Sequence, residues 1–275
     1  MANIPLSTSG RTAMEIAKEA TLIAGKLMLD SFYGSKEITY KGPGDVVTEV
    51  DKAAQEAIHA LFTQEFPDMG FLGEESEGDR ADKGYVWIVD PVDGTRNYAA
   101  GIPCAATVVG LALDGEVMVG VNYDPQMNEM FYAERGKGAY LNGTKIHVTD
   151  NTNLTEGILG TDLSYNSDST VNGLAIVNSF LPELWALRVM GSSALGLSYA
   201  AAGRYDLYFH GSLSPWDQVA GMLLVEEAGG IVTDRNGQRA TVYSDGIIAS
   251  NKTLHSEFMR RTDGMEWRKP TQKKV

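Results

Sequence analysis

Between Arg11 and Tyr33 apolar residues return at helical spacing (Ile16, Ala20, Ile23, Leu27) and Gly34 follows as a stop, which predicts an amphipathic helix. A second helix is predicted from about Asp51 through Phe66, with Ala54, Ala57, Ile58, Leu61 and Phe62 on one side and Pro67 ending it. The period then shortens. MGFLG, YVWIVD, CAATVVGLAL, EVMVGVNY and EMFYAE are β-rich runs separated by Gly, Asp and Pro turn signals, and Asp114–Gly115 reads as a hairpin turn. Strands this dense predict an antiparallel or mixed sheet. Beyond about Asp150 helices and strands alternate: a helix near Val171–Phe180, strand WALRVM, a helix from Ser192 to Ala202, strand DLYFH, a helix from Asp217 to Ala228 and strand GIVTD. That half reads as α/β. No repeat or low-complexity linker divides the chain, so residues 1–150 and 151–275 are expected as two layered subdomains of one unit, with the active site in their shared cleft.

Composition narrows the function classes. The 275 residues are 43 % hydrophobic with 30 glycines, enough for a large core, and the formal charge is −13. Such a charge repels phosphodiester backbones and anionic lipid, which argues against direct nucleic-acid or membrane binding and favours a bound cation. The N-terminal MANIPLSTSG has neither a basic nor an apolar leader segment, and no stretch reaches the roughly 18 apolar residues of a membrane span, so a cytoplasmic protein is expected. The single cysteine, Cys104, lies in an apolar run and reads as a buried structural thiol. The basic tail, with Arg260, Arg261, Arg268, Lys269, Lys273 and Lys274, reads as a solvated, partly ordered end before it reads as an anion-binding arm.

The run WIVDPVDGTRN carries the most chemistry. A strand ends in Asp90, Pro91 cannot donate a ladder hydrogen bond, and the short turn brings Asp93 round to the same strand end. Two converging carboxylates repel unless a cation compensates, and hard ions such as Mg²⁺ prefer oxygen ligands. Gly94 and Thr95 then open a turn or helix whose free N–H groups suit an anion. The alternative is that both aspartates are ordinary turn and cap residues. Glu74 in FLGEES could likewise be a solvated loop acid, and Asp217 in SPWDQ a helix-start residue favoured by the dipole. Four acids at element ends make a shared metal centre the better account.

GEES at Gly73–Ser76, WIVDPVDGTRNY at Trp87–Tyr98 and WDQVAGMLLVEEAGG at Trp216–Gly230 resemble the inositol monophosphatase family, in an order and spacing that span essentially the whole chain. The resemblance implies an α/β (α+β) chain with the layered αβαβα sugar-phosphatase fold, Mg²⁺ dependence, Li⁺ sensitivity and a homodimer. It places one metal on Glu74, Asp90 and the main-chain carbonyl of Val92, a second on Asp90, Asp93 and Asp217, and a weakly held third near Glu74. Glu74 thus belongs to the catalytic set. Thr95 corresponds to the hydroxyl that orients the attacking water, and Asp51 to the carboxylate that polarises it, although Asp51 also reads as a helix-start residue. Asp93, Gly94, Thr95 and Asp217 would border the phosphate. Gly191, Ser192 and Ser193 resemble an element that touches substrate hydroxyls, with an ordinary serine cap an equal reading.

His210 stands where inositol-specific relatives carry a glutamate. A protonated imidazole there would favour a second anionic group, and a core or surface histidine with no substrate role is an equal alternative. The expected substrate is a small phosphorylated metabolite, myo-inositol monophosphate by default. Histidinol phosphate, fructose 1,6-bisphosphate and 3′-phosphoadenosine 5′-phosphate are rivals, the last disfavoured because TRNY is closer to an inositol-type TxNF than to a nucleotidase KEF-like loop. A non-catalytic partner-binding protein on the same fold is the reading from a different class.

Overall fold

The computed structural model describes residues 4–42, 45–76, 80–164 and 166–269. Thr12 opens helix α1 (Ala13–Ser31) with a capping box, its hydroxyl accepting the Glu15 N–H while the Glu15 carboxylate accepts the Thr12 N–H. A hairpin of β1 (Ile38–Gly42) and β2 (Asp45–Thr48) leads into α2 (Glu49–Glu65), which packs beside α1. Next come β3 (Gly70–Gly73), β4 (Tyr85–Asp93), the short α3 (Thr95–Ala99), β5 (Ala106–Leu113), β6 (Glu116–Asp124), β7 (Glu129–Glu134), β8 (Gly138–Leu141) and β9 (Thr144–Lys145). These seven strands form one sheet in sequence order, β3 parallel to β4 and all later neighbours antiparallel. Asp114 and Gly115, at φ 50° and 82°, turn β5 into β6 as the sequence predicts.

The rest of the chain supplies β10 (Ile158–Thr161), α4 (Ser167–Phe180), β11 (Ala186–Arg188), α5 (Ser193–Ala201), β12 (Leu207–His210), α6 (Pro215–Glu227), β13 (Ile231–Thr233), β14 (Ile247–Ser250) and α7 (Lys252–Arg261). Its five-stranded sheet runs β11-β10-β12-β14-β13, parallel across the first three and antiparallel where β14 pairs with β12 and β13.

Alternation along β4 shows how the layers assemble. Trp87 and Val89 enter one core with Ile16, Ala20, Ile58 and Phe62 of α1 and α2, while Val86 and Ile88 enter another with α5, α6 and the second sheet. A third core lies on the far face, where Ile176 and Phe180 of α4 meet Phe209, Leu254 and Phe258. The layers are therefore helix, sheet, helix, sheet, helix. Helix α6 lies close on the first sheet because Gly110 and Gly120 face it: a β-carbon would come within 2.4 Å of Val219 and 2.8 Å of Ala220 respectively.

Several elements were not legible in the sequence: the β1–β2 hairpin, β8 to β10, β14 and α7. The tail also differs from expectation. Trp267, 1 % exposed, packs edge-on against Phe209 and Phe258, and Arg261 pairs with Glu183 at 3.0 Å. Apolar burial anchors a segment whose charge suggested solvation. Lys273 and Lys274 lie outside the described residues. Cys104 is buried, and burial pushes its thiol up to about 12, an inert group. Among the described residues no helix is long and apolar enough to cross a membrane.

Candidate active site

Ile88 points toward α5 and α6, so two residues on, Asp90 points the same way. Between Asp90 and Asp93 the pairing slips: Asp90 faces Val108 and Asp93 faces Ala106, one extra residue on β4. That bulge brings Asp93 to the side of Asp90. Gly94 follows at φ 84°, where a side chain would be strained and a β-carbon would lie 2.9 Å from the Cys104 carbonyl. Asp217 arrives from α6, as the third helical residue of a capping box in which its carboxylate accepts the Ser214 N–H at 2.6 Å. Oxygens of Asp90, Asp93 and Asp217 all lie within 4.8 Å of one another. Asp217 is thus both a helix-start residue and a member of the cluster.

Donors from the start of α5 surround Asp93. Ser192 Oγ donates to Oδ2, Ser193 Oγ to Oδ1 at 2.9 Å, and the Ala194 N–H to Oδ2 at 3.1 Å. Ser192 also caps α5, accepting the Leu195 N–H at 3.2 Å. Within the fold the Ser192 hydroxyl goes to Asp93, and that of Ser193 has Asp93 and, at 3.2 Å, the Asp217 carbonyl as acceptors; Gly191 and Ser193 line the pocket. Burial raises Asp93 and these donors hold it to about 6. Asp90 is raised well above the carboxylate range by burial first, then by Glu74, Asp93 and Asp217.

Glu74 continues β3 by one residue, its N–H donating to the Val89 carbonyl at 3.2 Å, which sets it beside Asp90. Burial pushes it up to about 7 against the pull of Lys41, whose Nζ lies 3.3 Å from Glu74 and also bonds Glu75. Thr95 Oγ1 lies 3.1 Å from Asp51 Oδ1 and 2.8 Å from the Val92 carbonyl oxygen. The other oxygen of Asp51 accepts from the Thr48 N–H at 2.9 Å, so Asp51 caps α2 and touches Thr95 at once. Burial raises Asp51 to about 6.

These groups line one cavity of about 550 Å³, with Glu74, Asp90, Val92, Asp93, Gly94, Thr95, Gly191, Ser193, His210 and Asp217 on its walls. Asp51 and Ser192 stand behind that lining. Sequence reasoning missed three contributors. Lys41 carries no motif. Asp162, on the pocket wall, accepts the Met190 N–H at 2.8 Å, the Gly191 N–H, and the Tyr208 hydroxyl at 2.9 Å, and so fixes the turn before α5. Asn97 reaches the Met190 carbonyl from the other side at 2.7 Å. The asparagine in TRNY was the one visible signal.

The donor set fits a hard divalent cation. Two buried carboxylates and the half-buried Asp217 lie within one ion's reach; Asp90, which burial and then Glu74, Asp93 and Asp217 push toward its protonated form, is stabilised as an anion by a cation in their midst. Val92 lines the same cavity, and its carbonyl, 2.8 Å from Thr95 Oγ1, is a neutral oxygen that could complete such a set.

The family model described as "Inositol monophosphatase family" matches residues 11–264. The chain is 38 % identical over 251 residues to inositol monophosphatase 1 of Solanum lycopersicum, covering 89 % of this chain and 92 % of that one. It is 36 % identical over 220 residues to a fructose-1,6-bisphosphatase/inositol-1-monophosphatase of Thermotoga maritima (78 % and 82 % covered) and 36 % identical over 246 residues to the Nus factor SuhB of Pseudomonas aeruginosa (86 % and 91 %). The crystal structure of the extragenic suppressor protein suhB from Bartonella henselae superposes with a TM-score of 0.87 at 33 % identity, over 91 % of this chain and 98 % of that one.

Proposed function

The chain belongs to the inositol monophosphatase family, a family of phosphatases, and on that premise we propose that it hydrolyses a small phosphate monoester with Mg²⁺, myo-inositol monophosphate first among candidates. Glu74, Asp90 and the Val92 carbonyl would hold one ion and Asp90, Asp93 and Asp217 a second, with a third near Glu74. Bound there, Mg²⁺ would lower the pKa of a water and neutralise charge on the phosphoryl and leaving oxygens.

The chain's own residues do the positioning. Thr95 has one hydroxyl proton and two acceptors in reach; giving it to Asp51 leaves the Thr95 oxygen free to accept from a water in the cavity. Asp51 is fixed for this by its bonds to Thr48. Ser192, Ser193 and Ala194 keep Asp93 in one orientation, and Gly94 and Thr95 line the pocket, where their backbone N–H groups would meet the phosphate. The observation that carries the reading is the convergence of Asp90, Asp93 and Asp217, from a strand end, a bulge and a remote helix, within 4.8 Å.

Phosphate release from myo-inositol 1-phosphate, histidinol phosphate, fructose 1,6-bisphosphate and 3′-phosphoadenosine 5′-phosphate, with and without Mg²⁺ and Li⁺, tests it. Release that needs Mg²⁺ and is inhibited by Li⁺ is expected; no release from any of them with Mg²⁺ overturns the reading. One relative is named a Nus factor, which favours a second reading as a partner-binding protein. The charge of −13 counts against direct contact with a nucleic-acid backbone, so such a partner would be a protein. A homodimer is expected on family grounds, and sedimentation checks it.

A further inference from the structure

We propose that His210 is a specificity-determining residue: a fixed, neutral hydrogen-bond donor that selects substrates presenting an oxygen acceptor at its wall of the pocket and rejects those presenting an ammonium group there. The inference rests on the phosphomonoesterase reading and adds the class of substrate.

Alternation along β12 decides which way the ring faces. Leu207 and Phe209 enter the outer core, so Tyr208 and His210 face the other side, where the Tyr208 hydroxyl meets Asp162 on the pocket wall and His210 lines the same cavity. The residue is only 5 % exposed, and Nδ1 accepts the Ser212 N–H at 3.0 Å. A backbone N–H cannot reverse its role, so Nδ1 is the unprotonated nitrogen and the proton sits on Nε2. Among the described residues Nδ1–Ser212 is the hydrogen bond His210 makes, and the residue lines the cavity. The cavity is where it finds a partner.

Protonating Nδ1 would set donor against donor at Ser212. Arg235 adds to this from behind. It is 5 % exposed, with Nε and Nη2 lacking hydrogen-bond partners among the described residues and Asp245 no nearer than 3.9 Å. Gly246 lies between the two residues: a β-carbon there would fall 2.3 Å from Arg235 Nε and 3.0 Å from the His210 carbonyl oxygen. Burial first, and then Arg235, pull the imidazole down to about 4. An ammonium group brought to this wall would meet a donor instead of an acceptor, with a buried positive charge behind it. Asp162, an acid on the same wall, is already accepting from Met190, Gly191 and Tyr208. The pocket is therefore divided, one part built for cations and another for oxygen acceptors.

The test uses myo-inositol 1-phosphate and a set of its analogues, in each of which one ring hydroxyl is replaced by an ammonium group. At one or two adjacent ring positions the replacement should lower kcat/KM by at least about tenfold. His210→Glu should abolish or reverse the loss at those positions alone, and His210→Gln, whose amide can turn either its N–H or its oxygen to the ring, should relieve it only in part. Whether the parent compound is hydrolysed tests the phosphatase reading; if it is not, the dissociation constants of the same compounds decide the present one. Equal discrimination by the wild type and His210→Glu at every position overturns it. Long-range ¹H–¹⁵N correlation on the unaltered protein should show the Nε2–H tautomer throughout pH 5.5–8, and an Nδ1–H tautomer or a titration near 6.5 would equally overturn it.

Discussion

Asp90 and Asp93 leave the same strand, are 2 % and 6 % exposed, and are held in opposite ways. Asp93 faces two hydroxyls and a backbone N–H from the start of α5, donors that orient the carboxylate and offset part of the cost of burying its charge. Asp90 accepts the Val92 N–H at 3.0 Å and is otherwise bordered by acids: Glu74, Asp93 and Asp217. The fold compensates one carboxylate in part from its own dipoles and leaves the other almost wholly for a cation to neutralise. Asp90 is also the residue shared by both proposed ion positions, so the least compensated charge sits where most positive charge would arrive. Stability and function conflict sharply at Asp90, and less at Asp93, where the donors offset part of the cost of burial.

The sharpest way to break that contrast is to remove each charge in turn. Asp90→Asn and Asp93→Asn should both lose Mg²⁺-dependent turnover by about 10³-fold or more, because each removes an anionic ligand worth several kcal/mol to the transition state. Without metal they should part. Asp90→Asn relieves repulsion and should melt higher than the unaltered chain. Asp93→Asn turns an amide toward donors arranged for a carboxylate and should lose about 1–3 kcal/mol. Thermal unfolding in EDTA reads both, and shifts of the same sign would end the comparison.

A smaller effect follows from thinning the donors. Ser192→Ala strips Asp93 of one hydroxyl and α5 of its N-cap, and should cost about 1–2 kcal/mol of stability. Turnover should fall by roughly tenfold while the Mg²⁺ requirement stays, since the ligands remain but Asp93 is less firmly aimed. Full activity in that variant would mean that Asp93 needs no such support. At the other end Lys41 is the internal cation of Glu74 and Glu75. Lys41→Met should bind Mg²⁺ several-fold more tightly in calorimetry, for lack of a competitor, and melt lower in EDTA. Weaker Mg²⁺ binding would instead make Lys41 a support for the ligands.

The contrast also explains what the sequence could disclose. Asp90, Asp93, Glu74 and Asp217 were legible because each sits where a strand stops or a helix starts, and those boundaries are written in Pro91, Gly94 and the Ser-Pro before Trp216. Their partners were not. Lys41 lies on a five-residue exposed strand with no periodic signal, and Asp162 follows a four-residue strand, too short for alternation to register. Whether Ser192 caps a helix or meets a ligand depends on how the start of α5 meets the end of β4, 99 residues away, and in the fold it caps α5 and holds Asp93. The anchoring of Trp267 is likewise a contact among three remote segments. Ends of elements are local facts; compensation of charge is not.

The smallest effect is the dependence of stability on pH, and its sign separates the two kinds of group. Asp51 and Asp93 are raised from 3.8 to about 6 and Glu74 from 4.5 to about 7, burial being the first cause in each. The folded chain thus holds these protons more tightly than the unfolded chain, and folding stability must fall as pH rises from about 4 to 7. His210 has the opposite sign: lowered from 6.5 to about 4, it favours folding above 6.5 and loses that contribution as pH falls toward 4. Between pH 6.5 and 7.5 the unfolded histidine sheds its remaining protons, a smaller gain of opposite sign, while Glu74 titrates in the folded chain, so in EDTA the melting temperature should decline gently from pH 6.5 to 8. With Mg²⁺ the decline should vanish or reverse, because an ion binds the deprotonated carboxylates and the folded state alone brings them together. The gap between the two curves should therefore widen with pH. A gap that is constant from pH 6.5 to 8 would mean that the acids near Asp90 are already ionised without metal, and that the fold compensates them as well as it does Asp93.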